Sequence, residues 1–272
     1  MPADAAGRSA RIGAMFQRYL FLHRRSLIRA FDIFFWPVMD LLIWGFLTLY
    51  IREEAVLGAA SQVALFLIGA MISWDIHYRG QQAVTISLME EIWTRNIVNI
   101  LISPLRLWEW IAASFLYGAL KVGIVTVLLA LLAKGLYAFE LARVGWAFFP
   151  LAANLLVFGW AIGMLTAGLL LRFGYAAEAL IWGIPFLIQP FSCVFYPVDT
   201  LPAWAQAIAR CLPTTYVFEA LRAVLREESV TWTVWPPIIS LNALYLALGI
   251  GCVVRLFRRA RASGRLGHLG QD

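Results

Sequence analysis

The sequence predicts an all-α polytopic membrane protein, and three observations carry that prediction. Hydrophobic residues make up 62% of the 272 residues, against about 45–50% in an ordinary soluble chain. Charged residues make up only 14%, against about 25%, and a soluble domain of this size has no interior able to hide that much apolar surface. The apolar runs approach the roughly 20 residues a helix needs to cross about 30 Å of hydrocarbon, and they lack the alternation of an outer-membrane barrel. Disorder is excluded by the same composition, and a nucleic-acid-binding domain is disfavoured despite the net charge of +6.

Taken in order, residues 10–29 are too polar to cross a membrane but are periodic. Ile12, Met15, Phe16, Tyr19 and Leu22 recur at helical spacing, and Arg11, Arg18 and Arg25 are expected on the opposite side. This describes an amphipathic helix at the inner headgroup surface, serving as a topological anchor or as a contact for a partner. Six apolar stretches follow as expected transmembrane helices, at residues 31–51, 62–78, 110–133, 144–171, 179–195 and 234–257. Asp40 lies about 13 Å into the first and Lys121 about 16 Å into the third, at roughly 1.5 Å per residue. Ionisable groups at such depth are candidates for function. The pair is expected to share a hydrogen-bond network, stabilising the bundle or contacting a transported molecule. Asp75 and Arg79, four apart, read as a local helix pair at the inner end of the second span.

The connection between the second and third spans is longer than two packed helices require. Residues 86–103 keep helical periodicity through Leu88, Ile92 and Arg95, and Glu91 and Arg95 are spaced for an i,i+4 pair. Pro104 ends that helix and re-aims the chain. Such a helix either projects into the cytoplasm, where it can be pushed on, or caps the inner face of the bundle. In the fourth span Gly159 and Gly163 form a Gly-x-x-x-Gly pattern, which favours close packing without naming a partner. After the fifth span, residues 197–226 hold two short apolar helices, from Ala203 to Cys211 and from Val217 to Leu225, broken between by the stretch that contains Pro213. Too short to span and too apolar to float, they are expected as a re-entrant hairpin at the outer side. Residues 258–272 form a basic cytoplasmic tail.

The basic side chains set the orientation. With the N-terminus inside, most of the 22 Lys and Arg fall on the cytoplasmic side, including Arg8, Arg11, Arg18, Arg24, Arg25 and Arg29, then Arg79, Arg95, Arg106 and Arg172, then those of the tail. Six crossings with both termini cytoplasmic follow. Nine of the twelve tryptophans, among them Trp36, Trp108, Trp146 and Trp235, lie near span ends as an aromatic belt. Cys193, Cys211 and Cys252 have no metal-ligand spacing, and two independent thiols are the simpler reading of the outer pair. His23, His77 and His268 are expected near the cytoplasmic surface with no way to cluster, so no metal site is expected.

Three stretches of sequence resemble the permease subunits of ABC-2-type exporters, across essentially the whole chain. They are Glu90-Glu91-Ile92-Trp93-Thr94-Arg95-Asn96, closing with Ile102-Ser103-Pro104-Leu105-Arg106; then Ser192-Cys193-Val194-Phe195-Tyr196-Pro197-Val198-Asp199-Thr200-Leu201-Pro202; then Leu212-Pro213-Thr214-Thr215-Tyr216-Val217-Phe218-Glu219-Ala220-Leu221-Arg222. The family commonly has glycine where Cys193 sits. The resemblance implies that Glu90, Glu91, Trp93, Arg95 and Asn96 belong to a coupling helix docked on an ATPase. It implies that Pro197, Pro202, Pro213, Glu219 and Arg222 belong to the re-entrant hairpin. It also implies a working assembly of two permeases and two ATPases in a bacterial inner membrane, in contact with lipid and not with nucleic acid.

The chain has no Gly-x-x-x-x-Gly-Lys-Ser/Thr, so it cannot cradle ATP phosphates in the P-loop manner. No cofactor is expected on this chain; ATP and Mg are expected on the partner. The expected function is therefore the membrane subunit of an exporter for a hydrophobic or amphiphilic compound, a lipid or a saccharide. The alternatives are a secondary transporter driven by an ion gradient, which has no visible internal repeat to support it, and a membrane-embedded enzyme, which lacks a nucleophile–base pair.

Overall fold

The computed structural model describes residues 2–54, 58–94, 96–226 and 228–262, and the described residues form helices and connections without strands. The helices are α1 (Pro2–Arg24), α2 (Leu27–Glu54), α3 (Gly58–Trp93), α4 (Ile97–Ile102), α5 (Leu107–Tyr137), α6 (Phe148–Phe173), α7 (Ala179–Ile188), α8 (Ala203–Ala209), α9 (Pro213–Leu225) and α10 (Trp235–Ala262). Tight 3-10 turns at Leu141–Ala147 and Gln189–Ser192 extend α6 and α7. Four stretches are long and apolar enough to cross a membrane: Ile33–Ile51, Leu107–Tyr137, Leu141–Phe173 and Trp232–Ala262. The apolar helix Ala179–Ser192 is shorter than these.

α3 and α6 form the centre. α6 lies along α3 on one side and α10 on the other, while α2 and α5 cover the rest of α3 and α1 crosses α5. The Gly-x-x-x-Gly of α6 finds its partner here. A Cβ on Gly159 would stand 2.5 Å from the His77 carbonyl oxygen, and one on Gly163 would stand 2.6 Å from that of Gln81. Two backbones can approach this closely only where side chains are missing. The core divides into two main ends. Met15, Tyr19, Leu88, Ile92, Trp110 and Leu171 pack together at the α1 end. Phe66, Trp74 and Leu151 pack with Val217, Phe218 and Leu221 of α9 at the opposite end.

Several sequence expectations are corrected. The second span and the first half of the connecting segment are one helix of 36 residues, about 54 Å long at 1.5 Å per residue. Nothing between Tyr78 and Glu91 breaks the helix, because Gly80 is the only weak former there and α6 supports it. His77 is consequently not at a surface. It is fully buried and stacks on Phe158 of α6, with ring centroids 4.9 Å apart. Arg79 likewise is buried within α3 and is not a free basic charge at a span end. α1 stops at Arg24 and α2 takes over from Leu27, so the segment expected as one helix to residue 29 is divided. Pro213 opens α9 instead of breaking the hairpin between helices, which suits a residue whose missing N–H is an orphan at a first helical position anyway.

Candidate functional site

The C-terminus of α3 holds two carboxylates. Glu91 is 1% exposed, and the Arg18 guanidinium of α1 meets it with both terminal nitrogens, Nη2 donating to Oε2 at 2.9 Å. Asn96 closes the helix end, donating its Nδ2 to Glu91 Oε2 at 2.7 Å and its backbone N–H to the Glu91 carbonyl at 2.9 Å. Thr94 donates its hydroxyl to the Glu90 carbonyl at 2.7 Å. Glu90 itself is buried. The expected i,i+4 partner of Glu91 was Arg95, which lies outside the described residues.

A second carboxylate repeats the arrangement one helix away. Glu109 sits in the first turn of α5, where it accepts the Arg106 backbone N–H at 2.9 Å, as an acidic group near a helix N-terminus should. It is fully buried, and Arg11 of α1 donates Nε to Oε2 at 2.9 Å and Nη2 to Oε1 at 2.6 Å. Paired parallel bonds of this kind are strong and directional. Between the two ion pairs, Tyr19 is 1% exposed; its hydroxyl accepts the Trp110 indole N–H at 2.7 Å and lies 3.3 Å from Ser114 Oγ. Its ring stacks on Tyr117 at 5.4 Å. Burial pushes the Tyr19 phenol up to about 12, so it remains protonated through the physiological range.

α1 is thus bolted to α3 and α5 by two ion pairs and a phenol. The arginines do not oppose the apolar face. At about 100° per residue, Arg11 and Arg18 lie within roughly 60° of Met15, on the rim of the buried face. Sequence reasoning missed this, although that step along the helix could have shown it. Glu109 was signalled only by its place three residues after Arg106, ahead of an apolar run. Outside the clamp, the turn into α4 leaves Trp93 48% exposed and Ile102 79% exposed, with Thr94 and Asn99 also exposed.

Asp40 lies in α2 and Lys121 in α5, two helices in contact with each other. Asp40 lies in the field of Arg79, which donates Nε to both oxygens of Asp75 at 2.9 and 2.7 Å. The Lys121 ammonium sits 5.7 Å from the Tyr117 ring centroid. Because α3 runs on unbroken past Arg79, the Asp75–Arg79 pair lies within the helix.

At the other end, Glu219 accepts the Val198 N–H at 2.9 Å and pairs with Arg222 at 2.9 Å. Arg222 donates Nη2 to the Cys193 carbonyl at 3.1 Å and stands 4.4 Å from the Phe66 ring centroid. Pro197 and Pro202 lead in extended conformation into the Val198–Thr200 turn and into α8, and Pro213 opens α9. Thr214 donates to Ser192 Oγ at 2.8 Å, and Thr215 to the Ala209 carbonyl at 2.7 Å. Cys193, which carries φ +53°, ends the helix before the hairpin; it, Cys211 and Cys252 are free thiols. Among the described residues no group of His, Cys, Asp and Glu could hold a metal ion.

Long apolar helices around a central rod define a multi-pass membrane protein. The family model for ABC-2 family transporter proteins matches residues 49–254. The chain belongs to that family, whose members are membrane components of ABC transporters. No curated protein matches the chain.

Proposed function

We propose that the chain is the permease of an ATP-driven exporter, working as a dimer with two copies of a separate P-loop ATPase. The observation that carries this is the α1 end of the bundle. There a helix of 36 residues ends in an exposed Trp93, the short α4 that follows ends in an exposed Ile102, and Glu91 behind Trp93 is held by Arg18 and Asn96. An apolar rim on a rigidly held helix end is suited to receiving a push from a docked protein. In this reading the α1 end faces the cytoplasm of a bacterial inner membrane, both termini with it. α3 and the Ala179–Ser192 helix complete six crossings, and α8 and α9 form the re-entrant hairpin.

The substrate pathway runs between two copies, and a hydrophobic or amphiphilic substrate suits spans with so few polar groups. Asp40 and Lys121 remain candidates for contacts there, in the second copy or with substrate. ATP and Mg bind the partner ATPase, not this chain. The test is co-purification. The chain is expected to bring down a P-loop ATPase, and Trp93→Ala or Glu91→Gln is expected to leave hydrolysis while abolishing export. A chain that purifies alone and moves substrate on an ion gradient would overturn the proposal.

A further inference from the structure

Pro185 lies inside α7 and is buried there. A proline has no N–H, so it cannot give the carbonyl four residues back its helical hydrogen bond. That carbonyl belongs to Ile181, which is fully buried. The donor comes instead from α3: Gln81 Nε2 reaches the Ile181 oxygen at 3.2 Å, across 100 residues of sequence. Gln81 is itself fully buried, and its Oε1 has no hydrogen-bond partner. Its own carbonyl accepts the Thr85 hydroxyl at 3.1 Å. Its backbone is pressed against α6, because a Cβ on Gly163 or Gly159 would fall within 3 Å of its carbonyl oxygen or nitrogen. The residue that holds α7 is therefore fixed to both central helices.

We propose that Gln81 is a positioning residue that ties α7 to α3, so that a displacement of α3 is passed to α7 and on to the turn at Gln189–Ser192. This rests on the coupling proposed above, since Gln81 lies ten residues from Glu91 on the same helix, about 15 Å along its axis. The tie spans a point where α7 lacks one of its own bonds, so it holds the helix at its weakest place. A backbone carbonyl left without a donor in a buried site is costly, which gives the bond its hold.

The experiment is hydrogen exchange of residues 179–192 in the purified permease and in its complex with the ATPase, nucleotide-free and trapped with ATP and orthovanadate. In the nucleotide-free protein, Gln81→Met is expected to speed exchange in α7 about tenfold, the worth of one hydrogen bond, while α5 is unchanged. In the wild-type complex, trapping is expected to alter α7 exchange several-fold. In Q81M that response is expected to vanish, with ATP hydrolysis within about twofold of wild type. Adding Pro185→Ala supplies the missing N–H, so the double variant regains α7 protection but not the nucleotide response.

Unchanged α7 exchange in Q81M overturns the tie. So does a double variant that regains the response, because Gln81 would then only satisfy a carbonyl. Should Q81M not accumulate, P185A alone asks the same question, since it frees the Ile181 carbonyl from needing Gln81 and is expected to blunt the response. A complex without ATP hydrolysis would sink the exporter proposal instead, while the nucleotide-free arm still reads the bond.

Discussion

The two ends of the bundle hold themselves together by different means. At the α1 end the bonds run between charged side chains far apart in sequence, Arg11 to Glu109 over 98 residues and Arg18 to Glu91 over 73. At the hairpin end they run mostly from a side chain to a backbone group nearby, such as Arg222 to the Cys193 carbonyl and Thr215 to the Ala209 carbonyl. Side-chain ion pairs can be broken and remade with other partners when helices move, whereas backbone caps fix a local shape. The α1 end is thus built as a joint and the hairpin end as a plug.

The largest expected effect comes from breaking the joint. Arg11→Met with Arg18→Met leaves Glu91 and Glu109 buried without their α1 partners. The guanidiniums are 25% and 33% exposed, which places each loss toward the lower side of the range for a broken buried pair, about 3 kcal/mol. The double variant should fail to accumulate in membranes, or unfold at a much lower temperature by intrinsic fluorescence. A swap sharpens the comparison: Arg18→Glu with Glu91→Arg should recover more than half of what either single change loses. Failure to recover would show that geometry, and not charge, holds the joint.

At the plug, Arg222→Met removes one buried bond to a carbonyl and the partner of Glu219, which is 34% exposed. A cost of about 1–3 kcal/mol is expected, with faster hydrogen exchange confined to residues 193–226 and none at α1. The smallest effect is expected at Cys193. Its φ of +53° is a backbone conformation glycine adopts freely, so Cys193→Gly should change stability by about 1 kcal/mol or less in thermal unfolding. Cys193→Val, branched at the same left-handed position, should cost clearly more.

This contrast also decided what the sequence could reveal. The two short helices α8 and α9 were legible because their signals are local: prolines at turns and short apolar runs. The left-handed backbone at Cys193 is one that glycine adopts freely. The joint was not legible, because periodicity along one helix cannot say which distant helix lies beside it. Glu91 had a plausible neighbour in Arg95, yet the structure gives it Arg18. Similarly, equal depth in two spans could not say what surrounds Asp40, and the unbroken α3 places the Asp75–Arg79 pair in its field. Gly159 and Gly163 announced a close contact and left its partner open; α3 fills that place.

The docking of α1 also dictates an order of biogenesis. α1 is translated ahead of both its carboxylate partners, which arrive only with Glu91 and Glu109. While α2 and α3 are being made, Arg11 and Arg18 of α1 lack the carboxylates that hold them in the folded chain. A nascent chain arrested before residue 109 should therefore keep α1 open to protease, and one arrested well beyond α5 should protect it. A segment made ahead of its partners is thus among the last to find its place.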